Sequence, residues 1–193
     1  MSQLGLDLRV MNQPTLAEKL GTKQHDSVLL QKAKGFGLAD AAALELLAVA
    51  RGCWHYRQPG MPDPPSVPES QFTNEELAIA LLSPALPYSP NTIRLGAAMV
   101  GATGNREEII VGLAKAEGCE AVLQHIARAG VQFEPNNPFW GKLLAKLPTA
   151  VEPPDGVLPH PTRFVSMTGF TRSGPGKVTI WIRPRADLAL VNG

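Results

Sequence analysis

Hydrophobic side chains recur at helical spacing over most of the first 148 residues. Apolar residues three or four positions apart line one face of a helix, because a helix has about 3.6 residues per turn. The clearest segment follows Asp40, where Ala and Leu predominate and Leu44 and Leu47 share a face. Another begins at Asn137 and Pro138 and carries an apolar stripe opposite its lysines. These patterns predict a mainly α protein built as a compact bundle of short helices.

The sequence contains residues that typically cap the first turn of a helix and so predict where these helices begin. Thr15 and Glu18 have the spacing of a capping box, in which each side chain bonds a free backbone amide of the other residue. Other residues able to accept from free amides predict further starts, and these are Asp26 with Ser27, Asp40, Thr73, Ser89, Asn105 and Asn137. A helix over about 117–129 is expected to end at Gly130, because glycine often follows the last helical residue.

Two segments near the carboxyl end alternate polar and apolar residues instead. They are RFVSMTGFTR and KVTIWIRPR, separated by SGPG, and they predict a β-hairpin. Successive strand side chains point to opposite faces, so Val178, Ile180 and Ile182 are expected to pack on the helices. Phe170 and Trp181 then fall on the outward face. The predicted fold is mainly α with a C-terminal basic β-hairpin, and so α+β at that end.

Proline divides the chain into parts. Proline removes a backbone donor and fixes φ, so neither a helix nor a central strand persists through the segment rich in it. That segment is either a domain boundary or a long ordered loop. The predicted parts are a helical segment 1–57, a Pro-rich connector 58–71, a helical bundle 72–148 sharing one core with 1–57, and a Pro-rich link with the hairpin, 149–193. An alternating LDLRVM segment near the amino end predicts a short strand.

Composition narrows the class of protein. Hydrophobic residues make up 44% of the chain and charged residues 18%, which argues against pervasive disorder. No apolar run approaches the roughly 20 residues that cross a bilayer, and the first residues lack the basic and apolar regions of a secretory signal. We therefore expect a folded cytoplasmic protein without a membrane partner.

A formal net charge of +1 hides an asymmetry. The segment between Gly156 and Ala186 holds five basic residues and no acidic one, which leaves 13 basic and 17 acidic side chains elsewhere. The five are Arg163, Arg172, Lys177, Arg183 and Arg185. With Phe170 and Trp181 on the same hairpin, cations are expected beside aromatic rings.

This combination suits nucleic acid, because cations neutralise phosphates and rings stack on bases. The expected binding residues are Arg163, Phe170, Arg172, Lys177, Trp181, Arg183 and Arg185. The ligand is DNA or RNA, single or double stranded, and the protein is expected to be a subunit or accessory factor of a larger nucleoprotein complex. In another interpretation the rings are core or cross-strand contacts and the arginines keep an edge hairpin soluble. The alternative function is a protein-only adaptor or inhibitor that uses the hairpin edge or the helical stripe to dock on an acidic partner surface.

No constellation in the sequence predicts catalysis, a metal or a cofactor. Cys53, His55, Cys119 and His125 form the one candidate zinc set, but the last two are six positions apart, on different faces of a predicted helix. GPGK lacks the spacing of a phosphate loop, and no nucleophile stands beside a base in sequence. His160, between two prolines, is expected to be a phosphate contact or a bystander rather than a general base. We therefore expect a non-enzymatic protein.

Overall fold

The computed structural model of the chain describes residues 13–171 and 174–190, without the side chains of 168–178. In that part it is mainly helical with one two-stranded antiparallel sheet near the carboxyl end, which confirms the predicted fold class. The helices are α1 (Leu16–Leu20), α2 (Val28–Gly35), α3 (Ala41–Ala50), α4 (Asn74–Leu81), α5 (Pro90–Val100), α6 (Glu107–Glu117), α7 (Glu120–Phe133) and α8 (Pro138–Lys146), and the strands are β1 (Val165–Thr171) and β2 (Gly174–Trp181). The predicted strand LDLRVM lies outside the described residues.

Most helices begin where their caps predict. Thr15 forms the expected capping box with Glu18, and an equivalent box opens α4. Ser27, Asp40 and Ser89 each accept a hydrogen bond from the amide three residues later. A side-chain oxygen at this position satisfies one of the free amides of the first turn, so a few neighbouring residues determine where the helix begins.

The predicted start at Asn105 is wrong. Helix α6 begins at Glu107, after Arg106. The side-chain amide of Asn105 instead donates to the carbonyls of Met99 and Val100 at 2.8 and 3.0 Å. The last carbonyls of a helix have no donor within it. Asn105 therefore caps the end of α5 rather than the start of α6.

The predicted end of α7 at Gly130 is also wrong. The helix continues to Phe133, with Gly130 inside it. The ring of Trp140 lies against Gly130, where a Cβ atom would overlap its indole carbons. Glycine is therefore required here for the close approach of α8 to α7 rather than for a helix stop.

This contact predicts opposite effects for two glycine substitutions. Gly130→Ala is expected to lower the free energy of unfolding by about 1–3 kcal/mol, because the new methyl group displaces Trp140. Gly112→Ala in α6 is the matched control: it meets open space and is expected to stabilise by about 0.4–1 kcal/mol. Urea denaturation of both variants measures the difference, and stabilisation by both would contradict the contact.

One cluster of buried side chains runs from Leu16 to Ile182. Its centre is the pair α4 and α5, and every residue of 77–82 is buried. Helices this short are marginally stable in isolation. Tertiary packing in the shared core stabilises them here. None of the described helices is both long and apolar enough to cross a membrane.

At Trp181 and Ile180 the hairpin presents the face opposite to the predicted one, whereas Ile182, which follows β2, is buried as predicted. Val165 pairs with Trp181 across the sheet, and Ser166 pairs with Ile180. Directly paired residues share a face, and the first pair is buried whereas Ile180 is 52% exposed. The prediction that Ile180 packs on the helices is therefore wrong. The physical reason is that the larger Trp181 ring fills the space between the sheet and the helices.

Candidate nucleic-acid interface

The ring of Trp181 lies in the core and not on an open surface. It is 1% exposed, with its centroid 4.5 Å from that of Trp140 and 5.6 Å from that of Phe164. Its Nε1 group donates to the carbonyl of Ala97 at 3.2 Å. The expected stacking of a base on Trp181 does not fit this position, because the ring would have to leave the core to reach a ligand.

Arg183 is held by a carboxylate. Its Nη2 group donates to both carboxylate oxygens of Glu134, each at 2.7 Å, and its Nε group donates to the carbonyl of Gly101 at 3.0 Å. Glu134 also accepts from Trp140 Nε1 and from Asn137. Arg183 therefore fastens the chain after β2 to α7, and Glu134 offsets its charge.

Glu134 is the centre of this cluster. Burial raises the pKa of its carboxyl, but the hydrogen bonds from Trp140, Arg183 and Asn137 together outweigh burial and hold that pKa below its ordinary value. The negative charge of Glu134 is therefore stabilised in the folded protein, where it neutralises the guanidinium of Arg183.

Arg185 is also paired, in this case at the surface. Its Nη2 group lies 2.6 Å from the carboxylate of Asp187, and the hydrogen bond with Asp187 raises the pKa of Arg185. Both side chains are exposed, and such pairs contribute little to stability. Arg185 thus keeps access to solvent. Its charge is offset by Asp187, which lies one residue beyond the segment 156–186 in which the charges were counted.

Three expected binding residues fall outside what the structure describes. Arg172 is outside the described residues, and the side chains of Phe170 and Lys177 are outside the described side chains, although their backbones lie in β1 and β2. Their assignment to a binding surface stays a prediction from the sequence.

Arg163 borders a cleft of about 640 Å³. The cleft lies between the first half of α5, the middle of α7 and the segment 156–163, which ends in a 3₁₀ turn, Pro161–Phe164. Among the described residues its lining has no carboxylate, and its basic residues are Arg94, His125, His160 and Arg163. We call these four residues and the space between them the basic cleft.

Two local contacts hold the Arg94 side chain at the wall of the basic cleft. Arg94 donates from Nε to the backbone carbonyl of Arg163 at 3.2 Å, and its guanidinium lies 5.3 Å from the ring centroid of Tyr56. Both contacts leave the charge of Arg94 without a carboxylate partner. In the described part of the chain, the ion pairs join other residues and involve neither arginine.

The two histidines differ in which nitrogen faces the protein. Nε2 of His125 lies 2.8 Å from the carbonyl of Pro159, and because a carbonyl only accepts, this nitrogen carries the proton. In His160 the amide of Thr162 donates to Nδ1, so the proton of the neutral ring is on Nε2. His125 therefore anchors the segment at Pro159, whereas His160 has an N–H group available for a ligand.

Sequence reasoning found half of the basic cleft. It singled out Arg163 and His160, which belong to the basic segment, and it missed Arg94 and discarded His125 along with the zinc set. Arg94 stands in an apolar helix, TIRLGAAMV, where nothing local distinguishes it from a solvent-facing arginine. Only the packing of α5 against the 3₁₀ turn brings it to Arg163.

A second cavity, of about 400 Å³, lies beside the Pro-rich connector and does not gather excess charge. Arg51 lines it and donates to Asn74 and to the carbonyls of Val67 and Phe72. Glu69 lines the same cavity, and burial lowers the pKa of Arg51. Arg51 is therefore engaged in holding the connector to α3.

The cysteines offer no reactive centre. Cys53 and Cys119 are both free and buried, and burial raises the pKa of each thiol, that of Cys53 to about 12. A thiol in this state behaves as a small apolar side chain. Among residues 13–171 and 174–190, no group of three or more His, Cys, Asp or Glu side chains is arranged to hold a metal ion.

Comparison with protein-family models, with curated proteins and with solved structures gives no significant match.

Proposed function

We propose that this chain is a non-enzymatic, nucleic-acid-associated protein of the cytoplasm, acting as a subunit or accessory factor of a larger nucleoprotein complex. The observation that supports it is the basic cleft, in which Arg94, Arg163 and His160 border one space whose lining has no acidic residue. Arginine is the side chain best suited to phosphate oxygens, because its fixed fork of donors can bind two of them at once.

This proposal moves the expected phosphate contact from the hairpin faces to the hairpin's base. Arg163 lies two residues before β1 and is one of the binding residues expected from the sequence, whereas Arg183 is bound to Glu134. Arg172 and Lys177 belong to the same acid-free segment, so a strand held in the basic cleft is proposed to continue along the hairpin toward them. Phe170 is the ring proposed to stack on a base; like these two cations, it is included on sequence grounds.

Salt-dependent binding tests the proposal. Fluorescence anisotropy with labelled single-stranded DNA, single-stranded RNA and duplex DNA is expected to give an affinity that falls as salt rises, because bound cations release counterions from the phosphates. The double variant Arg94→Gln/Arg163→Gln is expected to lose about tenfold or more in affinity and to reduce the salt slope by about 2.

Arg106→Gln is the matched control, since Arg106 is an exposed arginine that precedes α6 without a side-chain cap bond. It removes one positive charge, as the single variant Arg163→Gln does, and is expected to bind as the unmodified protein does. Arg163→Gln alone serves as a second variant if the loss of the Arg94–Tyr56 contact perturbs folding, which circular dichroism reports. Absence of salt-dependent binding to all three polymers, or an equal loss in Arg106→Gln, would reject the proposal.

One observation favours the protein-only adaptor or inhibitor as the second candidate. Met167 and Ile180 near the base of the hairpin are 47% and 52% exposed, and solvent-facing apolar side chains on a two-stranded sheet suit a protein partner. This candidate expects an acidic partner and no affinity for any polynucleotide at physiological salt, so the anisotropy experiment separates the two functions.

A further inference from the structure

We infer that the basic cleft takes a terminal phosphate monoester of a nucleic-acid strand, in preference to an internal phosphodiester. This inference rests on the proposed function and specifies the part of the ligand that enters the cleft. It concerns three side chains, Arg94, Arg163 and His160, with His125 as a positioning residue.

The donors approach from separate elements of the fold. Arg94 comes from α5, while His160 and Arg163 stand on either side of the bend at Pro161 and Thr162. A terminal phosphate has three non-bridging oxygens and a charge of about −1.5 to −2 at neutral pH. An internal phosphodiester has two such oxygens and one charge. Three donor groups around one space therefore match the terminal group better.

The tautomer of His160 adds to this match. Its Nδ1 atom accepts from the Thr162 amide and lies 2.8 Å from the Thr162 hydroxyl, which leaves Nε2–H as the outward donor. The arginines supply the positive charge and His160 supplies a directed donor.

The size and floor of the cleft fit a strand end. Leu158 and Pro159 are buried beneath it, and His125 holds Pro159 through the bond to its carbonyl. A volume of about 640 Å³ lies within the range of about 300–1,000 Å³ typical of pockets that enclose small ligands. The space exceeds what a phosphate group alone requires and suits the terminal nucleotide that carries it.

Oligonucleotides of one sequence that differ only at the end test the inference. A strand labelled at the 3′ end is compared with a 5′-phosphate and with a 5′-hydroxyl, and a strand labelled at the 5′ end with a 3′-phosphate and a 3′-hydroxyl. We expect at least one terminal phosphate to tighten binding by about tenfold, the effect of charge-assisted bonds to an extra charged oxygen. Competition with a nucleoside monophosphate and with inorganic phosphate separates a strand end from a free ligand.

His160 provides the matched pair of variants. His160→Ala is expected to remove at least about half of the preference for the phosphorylated end, whereas His160→Gln restores it, because the glutamine amide carries a donor near the place of Nε2–H.

The outcomes separate this inference from the proposed function. Equal, salt-dependent binding of phosphorylated and unphosphorylated strands would overturn the inference and leave the proposed function standing. Failure of every strand to bind would overturn both. Displacement of the strand by a nucleoside monophosphate or by inorganic phosphate at the strand's own concentration would assign the cleft to a free ligand and overturn the strand-end inference.

Discussion

Replacing Trp181 with alanine is expected to lower the free energy of unfolding by about 3–5 kcal/mol, the usual cost of deleting a buried tryptophan. The ring is 1% exposed and packs between Trp140 and Phe164, so its loss opens a cavity that rigid neighbours on α8 and the 3₁₀ turn do not fill. The same change removes the hydrogen bond to Ala97. Urea denaturation followed by circular dichroism measures the effect.

Two variants of the same strand calibrate this result. Trp181→Phe keeps much of the ring and loses the Nε1 donor, so we expect a smaller loss than in Trp181→Ala. Ile180→Ala removes a neighbouring side chain that is 52% exposed and is expected to change stability by less than about 0.5 kcal/mol. If Trp181→Ala and Ile180→Ala had similar small effects, the indole would not be part of the core.

The helix starts were predictable because capping is local. The Glu76 amide donates to the hydroxyl of Thr73, three residues earlier, and the sequence contains both partners. Asn105 shows the limit of this reasoning, since one amide side chain serves either the start of α6 or the end of α5. The choice depends on how the two helices meet, which a local pattern does not contain.

The hairpin face was not predictable because alternation does not say which face is covered. Both faces of the predicted strands carry large apolar groups, Ile180 on one and Trp181 on the other. The helices decide between them: Gly130 leaves room for Trp140, and Trp181 then packs on that ring. The alternation of residues along one strand contains no information about a glycine on a distant helix.

The charge asymmetry was visible in the sequence, but its partners were not. Arg183 pairs with Glu134, 49 positions earlier in the chain, and is therefore not among the cations that lack a carboxylate partner. Arg94 of α5 is such a cation, although it lies outside the basic segment. Counting charges by segment thus found one arginine of the basic cleft, Arg163. It also assigned phosphate binding to Arg183, which holds the chain after β2 to α7.

Acidification is expected to weaken the attachment of the hairpin through Glu134. Because the folded-state pKa of this carboxyl is lowered, its charge stabilises the folded protein fully above the pKa of the unfolded chain, about 4.3 for glutamate. The contribution is lost as the pH falls through the lower folded-state pKa. Glu134→Gln, which removes the charge and keeps the shape, is expected to cost about 2–4 kcal/mol at neutral pH.

Denaturation of Glu134→Gln and the unmodified protein from pH 7 to about pH 3 measures this dependence. The difference in the free energy of unfolding is expected to hold near neutrality and to shrink in the acid range, because protonation makes the native carboxyl as neutral as glutamine. Glu152→Gln is the control, since Glu152 forms an exposed pair with Arg128 that contributes little. A difference for Glu134→Gln that is the same at every pH would show that its charge does not hold Arg183, and one as small as the control's would show that the cluster does not anchor the hairpin.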